Sequence, residues 1–277
     1  MSAAPPTAPV LRVFSYLPSP RLAKATIAAR LCGVEIEVRG APPRELPGWL
    51  WDFDARPLAP DDTSADAERA ARTGFAGTLR KTDAFLAAHP FGNVPAAWSP
   101  DGAVGIFESN SIARAVARAA GAGCTVYGSD PWTASRIDGF LDASLVFARD
   151  AQVYLLKLGS GKIKPPTHER ARVALDGWLG GIEQALAPRH VAPAGGPTRP
   201  ALVGEDVTLA DVVFAAELAL LEAERRSHAV LAQAGLAPLV ADELATRFPR
   251  ALAHYARLCA HPAFAPDLGP YLEKIRG

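Results

Sequence analysis

Three short stretches of this chain combine residue types that can do chemistry. Glu108-Ser109 follows a short apolar strand pattern and precedes a helical one. At such a junction the free amides of the helix N-terminus and a serine hydroxyl make an anion site suited to a carboxylate, and the glutamate can hold an ammonium beside it. A ligand that carries both charges fits the pair; the plain alternative for Glu108 is a surface charge stabilised by the helix dipole. In Asn93-Val94-Pro95, a cis proline would turn the Val94 backbone outward and leave its N–H and C=O to pair with an extended peptide. A trans proline at a strand start is the alternative there. Ser15, Tyr16 and Ser19 place three hydroxyls between a strand pattern and the first helix pattern. A hydroxyl at a helix N-terminus can stabilise an anion such as a thiolate, although Ser19 also reads as a plain N-cap and Tyr16 as a buried strand aromatic.

Other chemical-looking strings carry less. Gly159-Ser160-Gly161-Lys162 lacks both the preceding strand and the magnesium-binding hydroxyl of a phosphate loop, because Ile163 stands at that position. Lys157, Lys162 and Lys164 read as a solvated helix end. His254, Cys259 and His261 match no metal-ligand spacing, so core packing is expected and no metal.

Composition sets the bounds. A chain of 277 residues holds one large domain or two modest ones. Lysine plus arginine equals aspartate plus glutamate at 29 each, which leaves no excess cation for a nucleic acid or an anionic membrane. No run of 18 apolar residues occurs that would span a bilayer. Cys32, Cys124 and Cys259 are too few and too scattered for a disulfide framework and fit a reducing compartment, hence a cytoplasmic location. The stretch before Glu35 carries Arg12, Arg21, Lys24 and Arg30 without an acidic residue, as transit peptides do, but residues 11–39 read as folded elements that cleavage would destroy.

Those elements begin with a strand at Leu11–Tyr16, a helix at Arg21–Cys32 closed by Gly33, and an alternating strand at Val34–Val38, which together form a parallel βαβ unit. Residues 41–78 are proline-rich and acidic and read as an excursion with one helical turn. Their Trp49, Trp51 and Phe53 must dock on something. Thr78–Ala88 reads as a helix. A hairpin follows through Ser99-Pro100-Asp101-Gly102, then a helix at Ser109–Ala120. Beyond Gly121-Ala122-Gly123 the patterns are all helical, at about 131–158, 167–187, 208–226, 238–245 and 248–260, with Thr208-Leu-Ala-Asp211 as a capping box. The expected organisation is a disordered tail at 1–9, a domain at 10–121 with the 41–78 insertion, a linker at 122–130 and an all-helical domain at 131–277.

Four strings in order resemble the glutathione transferase family over about residues 11–270: Asn93-Val94-Pro95, Phe107-Glu108-Ser109-Asn110-Ser111-Ile112-Ala113, Leu202-Val203-Gly204-Glu205-Asp206-Val207-Thr208-Leu209-Ala210-Asp211, and the closing Phe248-Pro249 with His261-Pro262-Ala263-Phe264. The resemblance implies an α/β plus all-α fold, with an N-terminal thioredoxin-like domain and a C-terminal helical bundle. It implies glutathione as co-substrate, held by Asn93, Val94, Pro95, Glu108 and Ser109 with Arg21 or Lys24 at a carboxylate. It also implies Ser19 as the thiol-activating hydroxyl with Tyr16 as runner-up, a small hydrophobic electrophile, and a homodimer. Tyr16, Arg21, Lys24, Ile27, Ala28 and Ala29, with the strings around Glu108 and Thr208, also resemble the transferase-like domain of translation elongation factor 1-gamma. That likeness implies a scaffold with translation-factor subunits as partners.

Overall fold

The computed structural model of the protein describes residues 8–62, 67–71, 75, 77–188 and 200–276. Most of the expected tail, Asp66 and most of the 192–200 loop lie outside them. The chain divides into two compact units, Met1–Cys124 and Thr125–Gly277.

Unit 1 opens with β1 (Arg12–Tyr16), α1 (Pro20–Cys32) and β2 (Glu37–Ala41), and β1 pairs β2 in parallel from Arg12↔Glu37 to Tyr16↔Ala41. Ser19 caps α1 with Pro20 in the first turn, and Gly33 closes it at φ 67°, its N–H donating to Ala29 and Arg30. β2 starts three residues later than the alternation predicts. Val34 is still donating to Ala29, and Glu35 accepts from Val10, so these residues finish the helix cap before the ladder begins.

The 41–78 excursion is a second sheet, which the sequence reading does not anticipate. It comprises β3 (Trp49–Trp51), β4 (Arg56–Pro57), β5 (Glu68–Ala70) and β6 (Thr78–Lys81) in the order β4-β3-β6-β5. Thr78–Lys81 is therefore strand, and the helix α2 covers only Asp83–Ala88, capped by the Thr82 hydroxyl accepting from Phe85 N–H at 3.0 Å. Leu79 and Lys81 are the buried members of β6, a period of two that its short length hides. The aromatics of the excursion dock as expected. Trp51 is fully buried, 5.3 Å from the ring of Phe14 and 5.8 Å from Phe85, while Trp49 lies 6.0 Å from Phe14 and Phe53 6.1 Å from Trp98. Trp51 Nε1 donates to Leu46 O, so its one polar atom is satisfied inside the core. Arg12 ties this sheet to the first by pairing with Glu37 at 2.7 Å and with Asp54.

The hairpin of β7 (Ala96–Trp98) and β8 (Gly105–Ile106) turns through Ser99–Gly102, and β7 pairs antiparallel with β1, giving the order β2-β1-β7-β8. Gly105 allows α2 to lie against β8, since a Cβ there would sit 2.4 Å from the carbonyl oxygen of Ala88. α3 (Ser109–Ala119) packs beside α1. The expectation of unpaired cysteines is corrected here: Cys32, at the end of α1, and Cys124, beyond α3, form a disulfide across 92 residues. Only the packing of α1 on α3 brings them together, and sequence spacing does not show it.

Unit 2 contains α4 (Pro131–Gly159), α5 (Pro165–Ala185), α6 (Leu209–Leu221), α7 (His228–Gln233), α8 (Glu243–Arg247), α9 (Pro249–Ala260) and α10 (Ala265–Arg276). α6 is buried along nearly its whole length, as an all-round apolar helix must be. It ends at Leu221, short of the expected 226, where a 3-10 turn takes over. The capping box is present with both reciprocal bonds. Asp211 also accepts from Leu202 N–H at 2.9 Å and contacts His254 Nε2 at 2.7 Å. Arg257, which can only donate, contacts His254 Nδ1 at 2.7 Å, so Nε2 carries the proton toward Asp211. His254 is thus a core residue, as expected.

Candidate functional site

The sheet order gathers the sequence-predicted residues at one end of unit 1. β1 runs toward Tyr16 and Ser19. Antiparallel β7 starts beside that end, with Phe14 opposite Ala96, and so places Val94 and Pro95 there. β8 runs back alongside, with Ile106 opposite Ala97, and delivers Glu108 and Ser109 to the same end. The N-termini of α1 and α3 begin at that end of the sheet, so the positive ends of two helix dipoles accompany the side chains.

Ser19 is buried and its Oγ accepts from Leu22 N–H at 3.3 Å. Capping uses a lone pair, and the hydroxyl proton remains a donor. The alternation of β1 puts Tyr16 with Phe14 on the face covered by the excursion, where Tyr16 packs against the aromatic core. Ser15 lies on the opposite face, fully buried, and its hydroxyl has no partner among the described residues.

The Val94–Pro95 peptide is cis, as the sequence reading expects, and so is Leu17–Pro18, which it does not mention. Pro95 is buried, Val94 half-buried and Asn93 exposed. No described backbone group pairs with the N–H or C=O of Val94. The loop before it is braced by Lys81, whose Nζ donates to Gly92 O at 2.7 Å. His89 stacks on Phe85, and burial holds its pKa below the ordinary histidine range.

Glu108 is exposed and caps α3 at φ 66°, the one non-glycine residue at positive φ among the described residues. Such a conformation costs on the order of 1–3 kcal/mol and is typical of ligand clamps. Ser109 and Asn110 behind it are buried. Arg21 is half-buried in the first turn of α1. Lys24 differs from its expected position at a ligand carboxylate. It is 1% exposed and lies behind α3, its Nζ donating to Ser109 Oγ at 3.1 Å and to Asn110 Oδ1 at 2.8 Å. Asn110 is the residue the sequence reading passes over. The available signal is a lysine in register with the apolar positions Ile27 and Ala28 of α1, a place where its stem must be buried.

Among the described residues no group of three or more His, Cys, Asp or Glu side chains could hold a metal ion. None of their helices is long and apolar enough to cross a membrane.

Solved structures share this architecture. A glutathione transferase from Methylobacillus flagellatus with glutathione bound superimposes with a TM-score of 0.59 at 15% identity, covering 93% of this chain and 98% of that one. The yeast prion protein Ure2p in complex with S-hexylglutathione gives 0.64 at 18%, covering 94% and 99%. The fold is that of the glutathione transferases. The sequence is similar to elongation factor 1-gamma. The rice protein elongation factor 1-gamma 3 is 35% identical over 144 residues, which are 51% of this chain and 32% of that protein. The Prunus avium elongation factor 1-gamma is 30% identical over 195 residues, 70% of this chain and 40% of the relative. The matched region is thus well under half of either relative's length. A glutathione S-transferase-like protein of Gibberella moniliformis is 27% identical over 144 residues, 51% of this chain and 60% of that one. No family model matches the chain.

Proposed function

We propose that this protein binds glutathione in unit 1 and conjugates its thiolate to a small hydrophobic electrophile. Glu108 holds the ammonium of the γ-glutamyl group. Ser109 and the first amides of α3 hold its carboxylate, and the Val94 backbone pairs with the cysteinyl residue. The observation that carries the reading is Ser19, an N-cap hydroxyl whose acceptor side serves Leu22 N–H. Its O–H and the positive end of α1 stabilise the thiolate left when the thiol proton passes to solvent; the thiolate attacks the electrophilic carbon, and the C–S bond forms as the bond to a leaving group such as halide breaks and that group departs with the bonding pair. A free thiol has a pKa of about 8.5, and lowering it by about two units takes about 2.7 kcal/mol of preferential stabilisation. One hydroxyl hydrogen bond and a helix N-terminus supply energy of that order.

A second reading, an assembly scaffold whose partners are translation-factor subunits, is favoured by the elongation factor 1-gamma relatives. Turnover of a panel of electrophiles with glutathione supports the enzyme. No turnover across the panel, with translation factors co-purifying, supports the scaffold.

The protein is expected to form a homodimer. Leu145, Val146, Val153 and Leu156 leave an apolar stripe exposed along α4, of the kind a two-fold interface buries. Light scattering at micromolar concentration should give twice the chain mass, and a pure monomer would contradict it.

A further inference from the structure

Lysine is among the residues least often fully buried, and it is found there only where its ammonium has acceptors. Six lysines occur in this chain, and Lys24 is 1% exposed. Its stem crosses from the middle of α1 to α3, and the ammonium ends on the first two residues of that helix, at Ser109 Oγ and Asn110 Oδ1. A hydroxyl that accepts from an ammonium cannot turn its own proton toward that donor. The Ser109 O–H is therefore aimed away from Lys24. Bonds of this kind polarise one another in a low-dielectric interior, which makes the hydroxyl a stronger donor to an anion than an isolated serine. The positive end of α3 acts at the same point.

We propose that Lys24 is a positioning residue for the carboxylate subsite: it orients the Ser109 hydroxyl and supplies a buried positive charge that makes the N-terminus of α3 select a carboxylate. The role rests on the reading that the γ-glutamyl group of glutathione docks there. A purely mechanical strut between α1 and α3 would need the two hydrogen bonds but not the charge. The two roles therefore separate when the charge of the ligand is varied.

The test compares glutathione with 4-aminobutyryl-cysteinyl-glycine, which keeps the ammonium and lacks the neighbouring carboxylate, by titration calorimetry. The parent protein should prefer glutathione by on the order of ten- to a hundredfold, the range of a charge-assisted contact. Lys24→Met keeps the stem and removes the charge. Asn110→Asp keeps Lys24 and neutralises it with a carboxylate at the position of one of its present acceptors, which retains the strut if the first variant fails to fold. In both variants the preference should fall severalfold toward unity while affinity for the analogue changes little. Equal weakening of both ligands, with the parent's preference retained in either folded variant, would show a strut and overturn the proposal while leaving the glutathione site standing. Failure of the parent to bind glutathione would remove the site itself and this role with it.

Discussion

Replacing Ser19 with alanine should lower kcat/KM with glutathione and an electrophile by roughly ten- to a thousandfold, with little change in the KM for glutathione. The range follows if most of the ~2.7 kcal/mol needed to ionise the thiol near neutrality comes from this one hydroxyl. The same substitution removes an N-cap, which costs about 1 kcal/mol of stability. The assay therefore belongs well below the melting temperature, where a loss of that size leaves the population folded. The pH profile separates the two effects, because a lost thiolate-stabilising bond moves the ionisation of bound glutathione upward and a frayed helix does not. Full activity in Ser19→Ala would transfer the role to another hydroxyl. Ser15 would then gain weight, since its buried oxygen has no partner among the described residues, whereas Tyr16 is committed to the aromatic core.

The largest stability effect is expected at Asp211. Its carboxylate accepts from Leu202 N–H, Thr208 N–H and the Thr208 hydroxyl and faces His254 Nε2, all within 3.0 Å and all buried. Asp211→Ala would leave two amides and an imidazole N–H without an acceptor at the start of the helix around which unit 2 packs. Stranding buried polar groups on this scale costs about 3–5 kcal/mol. Urea unfolding should show that loss as a lower midpoint. Asp211→Asn, which retains one oxygen acceptor, should recover part of it. A loss below about 1 kcal/mol for the alanine variant would contradict the central role given to this carboxylate.

Asp211 also illustrates which features sequence conveys. The capping box needs partners three residues apart, and Thr208 and Asp211 display both, so the start of α6 follows from a local rule. Gly33 closing α1, the Ser99–Gly102 turn and the Glu108-Ser109 junction are local in the same sense. The second sheet is not. β3, β4, β5 and β6 have two to four residues each, Pro57 sits in one of them, and every pairing is made with a strand that the local pattern does not mark. What the composition does convey is that Trp49, Trp51 and Phe53 must be covered. α10 is hidden by Pro270, which lies inside it and ordinarily argues against a helix. The Cys32–Cys124 disulfide and the bonds from Lys24 to Ser109 and Asn110 both depend on α1 lying beside α3, a tertiary relation with no sequence period. The individual candidate residues are therefore readable from short strings. Their convergence at one end of the sheet, and the buried cation behind them, come from the strand order and the packing of two helices.

The most direct measurement of the central claim is titration calorimetry of glutathione into the parent protein, Glu108→Ala and Ser109→Ala. On the proposed reading Glu108 and Ser109 hold opposite charges of one ligand group, and a hydrogen bond to a charged group contributes about 1.5–3 kcal/mol. The parent should bind, and each variant should bind at least about tenfold more weakly while melting at nearly the parent's temperature. Equal affinity in all three proteins, or no binding by the parent, would contradict a glutathione site at the N-terminus of α3.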